Sequence, residues 1–190
     1  MNYLIGFFLG LLITSLVLVQ SQEKIEIPNT EPASYSRIAE QLGQHYRPIY
    51  EKRSKAQKLA NELNCLTDNV YQEAGFEPEE GQLAVATVVL NRVKAPEYPK
   101  TVCGVVYERR IDPRNHKVVC QFSWTCKPKH KTNKEHYKQA REIAKKVLLK
   151  HQIMKDMNGA TLYHAIYVHP DWADKSEQVQ QIGLHVFYRE

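Results

Sequence analysis

Three rhythms of apolar and polar residues divide the 190-residue chain. From Tyr3 to Val19 the sequence carries no charge and is rich in Leu, Ile, Val and Phe. This run stands at the short edge of a bilayer span, which takes roughly 17–25 apolar residues. Two readings stay open: an uncleaved membrane anchor, or a signal peptide cut after small residues such as Val19 and Ser21. Either one sends the rest of the chain out of the cytoplasm. From Gln20 to about Arg53 the pattern turns polar, with Pro28, Pro32 and Pro48 and few clustered apolar positions. That composition predicts a juxtamembrane stalk with a short helix around 34–43. The expected organisation is a signal segment over 1–21, a polar linker over 22–53, and one compact domain over 54–190.

Beyond Ser54 the period becomes helical. Leu59, Leu63, Leu66 and Val70 recur at spacings of four, three and four, a single apolar stripe that predicts a helix over 54–74. Gly75 is expected to end it in the left-handed conformation. A second helix should follow Pro78, with Glu79 and Glu80 at the positive end of its dipole. Its body, from Gly81 to about Lys94, is apolar nearly all round and predicts the buried centre of the domain. Over 95–132, Pro96, Pro99, Pro113, Pro128 and many charges predict a loop-rich region, and so long an irregular stretch is usually functional. A third helix should run from the cap Asn133 to near His151, with Tyr137, Ala140, Ala144, Val147 and Leu148 facing inward. Residues 161–168 and 185–189 alternate with the period of strands. Helices followed by a small antiparallel sheet make an α+β domain.

Composition narrows the partner. The formal net charge is +5 and the pI about 8.9, which suits an anionic surface. Export favours a wall polymer or a membrane over nucleic acid, so the basic tract at 127–131 reads as a solvated loop near an anionic wall rather than a phosphate contact. Cys65, Cys103, Cys120 and Cys126 fit an oxidising compartment as two disulfides, with three pairings open. The gap between Cys120 and Cys126 is not that of a zinc knuckle. None of the eight histidines forms a His-Glu-x-x-His motif. His164 and His169, five apart on one expected strand, should face opposite ways, and no metal or other cofactor is expected.

One residue breaks its own pattern. Positions 59, 66 and 73 lie on one helical line, seven apart, and the third member of this apolar row is Glu73. An inward-facing carboxyl at the C-terminal end of a helix is disfavoured as an anion both by burial and by the dipole. A carboxylic acid held protonated in this way can donate a proton to a glycosidic oxygen. Asp68, five residues back, points to a different helix face and makes a poor partner.

The ordered motifs are distinctive. They run Asn69-Val70-Tyr71-Gln72-Glu73-Ala74, then Glu77, then Glu80-Gly81-Gln82-Leu83-Ala84-Val85-Ala86-Thr87-Val88-Val89-Leu90-Asn91-Arg92-Val93. Tyr98-Pro99, Thr101 to Tyr107, Gln121-Phe122-Ser123-Trp124, Tyr163-His164-Ala165, Tyr167-Val168, Pro170, Trp172, Ile182-Gly183, His185, Phe187 and Tyr188 follow. Over residues 62–190 this resembles the SleB/CwlJ-type cell-wall hydrolases, the spore cortex-lytic enzyme family with relatives in other bacteria and in phages. The resemblance implies a lysozyme-like α+β domain that acts on peptidoglycan without a metal. It also implies a lytic transglycosylase with Glu73 as its single catalytic glutamate. Where the family usually reads Glu-Ala-Arg-Gly-Glu, this chain has Glu73-Ala74-Gly75-Phe76-Glu77, which changes the loop beside the acid.

The remaining candidates are substrate contacts. Gln121 and Ser123 carry groups that hydrogen-bond sugars, and the Trp124 indole could stack on a sugar face, whereas Phe122 reads as core. Tyr163 and His164 lie on opposite faces of one strand, so at most one reaches the site. Trp172 reads as a cleft wall or core residue, and Asn91 and Arg92 as a helix cap and a structural ion pair. An amidase cutting the sugar–peptide link and a wall-binding module without activity are the alternative functions.

Overall fold

The apolar stripe lies on helix α1 (Pro32–Ala74), which buries it from Leu63 onward. The computed structural model describes residues 32–127, 132–157 and 159–190. They fall into two compact units, one ending at Ile49 and one covering Tyr50–Glu190. The expected stalk is thus largely helical: α1 begins at Pro32, far ahead of Ser54, and carries Pro48 within it. The stretch is rich in good helix formers, and Tyr35, Ile38, Leu42, Tyr46 and Ile49 recur at helical spacing, all exposed. Leu59 departs from expectation too. It is 46% exposed, so the inward stripe is Leu63, Leu66 and Val70.

Helix α2 (Glu79–Lys94) is the centre the sequence predicts. Ala84, Val85, Ala86, Val88 and Val89 are wholly buried, and Glu79 and Glu80 occupy its first turn. The stretch over 95–132 is more ordered than expected. It holds a short helix α3 (Val102–Val106) and a hairpin of β1 (Arg109–Ile111) with β2 (Val118–Cys120), followed by a 3-10 turn over Ser123–Cys126. The strands are only three residues long and mostly exposed, so no alternation marks them. Helix α4 (Lys134–Lys150) starts at its Asn133 cap, whose side chain accepts from Glu135 and His136 N–H groups, and buries Ala140, Ile143, Ala144 and Val147.

The C-terminal sheet has the order β3 (Leu162–Ala165), β5 (His185–Arg189), β4 (Glu177–Ile182), all antiparallel. β5 matches its expected bounds, and β3 is shorter than expected. β4 hides in a polar stretch because it is an edge strand with exposed Glu177, Gln178 and Gln181. The α+β expectation holds, with a helical core and a small antiparallel sheet. One hydrophobic cluster joins α1, α2, α3 and α4, and a second joins α2 to Met157, Ile182 and Phe187 of the sheet side. Two disulfides form, Cys65–Cys103 between α1 and α3 and Cys120–Cys126 between β2 and the 3-10 turn. Among the described residues no helix is long and apolar enough to cross a membrane. Tyr3–Val19 and most of the basic tract lie outside them.

Candidate active site

Glu73 sits in the last turn of α1, beside β3. The hydroxyl of Tyr163 donates to its Oε2 at 3.0 Å. Burial pushes the Glu73 carboxyl above its ordinary value of 4.5, while the Tyr163 hydrogen bond and the charges of Arg92 and Lys127 pull the other way. Burial wins, because a half-open cavity offers the anion little water. Tyr163 is itself raised well above the usual phenol range, by burial and by the neighbouring Glu73 charge, so it stays a donor.

A cavity of about 280 Å³ opens over this pair, lined by Glu73, Arg92, Gln121, Phe122, Ser123, Leu162, Tyr163 and Trp172. Four elements deliver these groups: α1, the end of α2, the segment after β2, and β3 with the turn that follows it. Gln121, Ser123, Tyr163 and Trp172, four of the six expected substrate contacts, are therefore brought together with Glu73. Trp124 and His164 are not. The Trp124 ring packs against the helical core and meets Tyr107 edge-on at 5.8 Å, so it belongs with the core that was assigned to Phe122. His164 points to the opposite face of β3, where its Nε2 lies 2.9 Å from the Tyr188 hydroxyl and its ring stacks on Tyr188. Phe122 is buried and also walls the cavity.

Arg92 is the residue that sequence reasoning missed. Its partner is no carboxylate: Nε donates to the Thr161 carbonyl at 2.7 Å, and the guanidinium lies between the Tyr98 and Phe122 rings, 5.4 and 5.3 Å from their centroids. Only 4% exposed, with Nη1 unpartnered among the described residues, it holds a positive charge on the cavity wall. The signal was a cation at the end of an otherwise apolar central helix. Asn91 likewise caps nothing on its own helix; its amide donates to the Met157 and Ala160 carbonyls.

Asp68 is occupied elsewhere, accepting from Tyr137 at 2.7 Å and Tyr107 at 3.3 Å. Glu77 braces the loop beside Glu73. Its Oε1 lies 2.7 Å from His185 Nδ1, its Oε2 accepts from the Leu184 N–H, and both side chains are at most 10% exposed. Gly81 and Gly183 leave room for this carboxylate, since a Cβ on either would overlap Glu77 Oε2. Gly75 differs from expectation: its backbone is not left-handed, and it is needed because a Cβ there would overlap the Tyr71 carbonyl. His169 also corrects the strand reading. The chain leaves β3 after Ala165 and turns, the Val168 N–H donating to the Ala165 carbonyl, and the His169 ring comes within 6.0 Å of His164.

On this α+β scaffold, residues 76–188 match the cell wall hydrolase family. The chain belongs to that family. Its match begins at Phe76, three residues after Glu73. The spore cortex-lytic enzyme of Oceanobacillus iheyensis is 33% identical over 132 residues, covering 67% of this chain and 41% of that protein. That of Bacillus subtilis is 32% identical over 132 residues, covering 67% of this chain and 37% of that protein. The chain thus spans about two-fifths of the length of these relatives. Among solved structures, the catalytic domain of the Bacillus cereus SleB protein aligns with a TM-score of 0.49 and 27% identity, over 68% of this chain and 91% of that one. The catalytic domain of the germination-specific lytic transglycosylase SleB from Bacillus anthracis aligns with the same score and identity, over 68% of this chain and 94% of that one.

Proposed function

We propose that this chain cleaves the glycan of peptidoglycan as a lytic transglycosylase, with Glu73 as acid and then base. The observation that carries this is the Glu73 carboxyl itself, biased toward its protonated form and lining a cavity in which no other acid stands among the described residues. In the first step Glu73 gives its proton to the glycosidic oxygen as the C1–O bond breaks. In the second, the C6 hydroxyl of the same muramic acid attacks C1 and Glu73 takes the hydroxyl proton back, closing an anhydro ring. One carboxyl serves both steps, so no partner acid is required. Tyr163 fixes the orientation of the carboxyl, and Arg92 and Tyr163 offset the negative charge present between the steps. Gln121 and Ser123 supply hydrogen bonds to sugar hydroxyls, and Trp172 supplies an apolar wall.

The substrate places the working domain outside the cytoplasm. Export and membrane attachment through Tyr3–Val19 complete the proposal; a mature chain starting near Gln22 would replace the anchor with a cleaved signal. Digestion of purified wall followed by mass spectrometry tests the bond choice. Anhydro-muropeptides are expected. Ordinary reducing ends would indicate hydrolysis by water, free stem peptides would indicate an amidase, and sedimentation with sacculi without products would indicate a binding module.

A further inference from the structure

Glu73 lines a second cavity as well. This one, of about 160 Å³, is walled by Gln72, Gly75, Phe76, Glu77, Ala165, Tyr167, Leu184 and His185. Its two aromatic members are among the most exposed large side chains described, Phe76 at 77% and Tyr167 at 82%. Exposing a large apolar ring is unfavourable, and two on the rim of one cavity mark a contact surface. The Phe76 platform is also held in place. The Gly75 carbonyl lies 2.7 Å from His136 Nδ1, and the Phe76 ring rests 4.4 Å from the His136 ring.

A glycosidic bond joins two sugars, so an acid that protonates the bridging oxygen must have a ring on either side of it. Glu73 is the group common to both cavities. We infer that the Phe76–Tyr167 cavity is a saccharide subsite of this chain, taking an N-acetylated pyranose ring across the bond from the sugar held by Gln121, Ser123 and Trp172. The apolar face of the ring would lie on the aromatic rim, with the exposed Gln72 amide within reach of its polar substituents. Glu77 and His185 at the floor are engaged with each other and shape the cavity without needing to meet the sugar.

This inference rests on glycan cleavage at Glu73, and the test separates the two. The full-length Glu73→Gln chain is titrated with the β-1,4-linked tetramer of N-acetylglucosamine by calorimetry, alone and with Phe76→Ala or Tyr167→Ala added. Each loss of a ring is expected to weaken binding about three- to tenfold, while Phe76→Tyr and Tyr167→Phe keep it. Because both rings are mostly exposed, their truncation leaves the core intact. Unchanged affinity in both alanine variants, or no binding by the parent, overturns the subsite. The same alanine variants in the active chain should raise KM for soluble glycan strands far more than they lower kcat. Anhydro products from the wild type with an unaltered KM in the variants would refute the subsite alone; absence of any glycan product would refute the activity beneath it.

Discussion

Replacing Gly183 by alanine should be among the most damaging single changes outside the cavity. Gly183 opens the turn between β4 and β5 with φ at +57°, a conformation that disfavours any Cβ by about 1–2 kcal/mol. The new methyl would also overlap Glu77 Oε2, which is buried and receives the Leu184 N–H while Oε1 faces His185. Breaking a buried charged contact of this kind costs about 3–5 kcal/mol when one partner is left unpaired. Here the carboxylate can move partway, so roughly half of that is expected, for a total of about 3–4 kcal/mol. Gly159 supplies the control. Its φ is +76°, but the three atoms nearest a Cβ there all belong to the flexible Arg189 side chain, the closest at 3.2 Å, so Gly159→Ala should show mainly the backbone cost of about 1–2 kcal/mol. At roughly 3 °C per kcal/mol for a domain of this size, thermal melts of the two variants should separate by several degrees. A double-mutant cycle with Glu77→Ala should then recover much of the excess in Gly183→Ala. Equal melting of the two glycine variants, or no coupling to Glu77, would refute the bracing role of that carboxylate.

Tyr163→Phe removes the hydrogen bond that lowers the Glu73 pKa, so the alkaline limb of the pH–rate profile should move to higher pH; a move to lower pH would contradict the assignment. Burial depresses His185 below its ordinary value of 6.5 despite the adjacent Glu77. Stability from this group is therefore present above 6.5 and lost as pH falls from there toward the folded-state value, and His185→Gln should flatten that part of a pH–melting curve. Replacing Cys65 and Cys103 by serine, which opens a link between positions 38 residues apart, should cost about 4 kcal/mol in the chain-entropy view, read by urea denaturation.

The helical framework was readable because long elements repeat their signal. Leu63, Leu66 and Val70 on α1, the apolar body of α2 and the Asn133 cap of α4 each announce themselves several times over. Short or exposed elements do not: β1 and β2 are three residues each, β4 is a polar edge strand, and all three escape a period-two search. Leu59 shows the limit of a stripe, since the helix continues past the surface that covers it. Gln121, Ser123, Trp124, Tyr163, His164 and Trp172 were all legible as candidate sugar contacts from their chemistry, but the fold had to be seen to send Trp124 to the core and to separate Tyr163 from His164. Arg92 was hidden for another reason. A cation at a helix C-terminus has an ordinary explanation in the dipole, and only the fold shows it over the Tyr98 and Phe122 rings on the cavity wall.

The most direct measurement compares the wild type with Glu73→Gln on purified peptidoglycan. Because burial raises the Glu73 pKa, the ionised carboxylate detracts from stability at pH values above the unfolded-state pKa, and the neutral amide should leave the fold at least as stable there. Loss of product can then be assigned to chemistry. The expected result is anhydro-muropeptides from the wild type and none from an equally stable variant. A Glu73→Gln chain that still releases anhydro-muropeptides at the wild-type rate would show that Glu73 is not the acid.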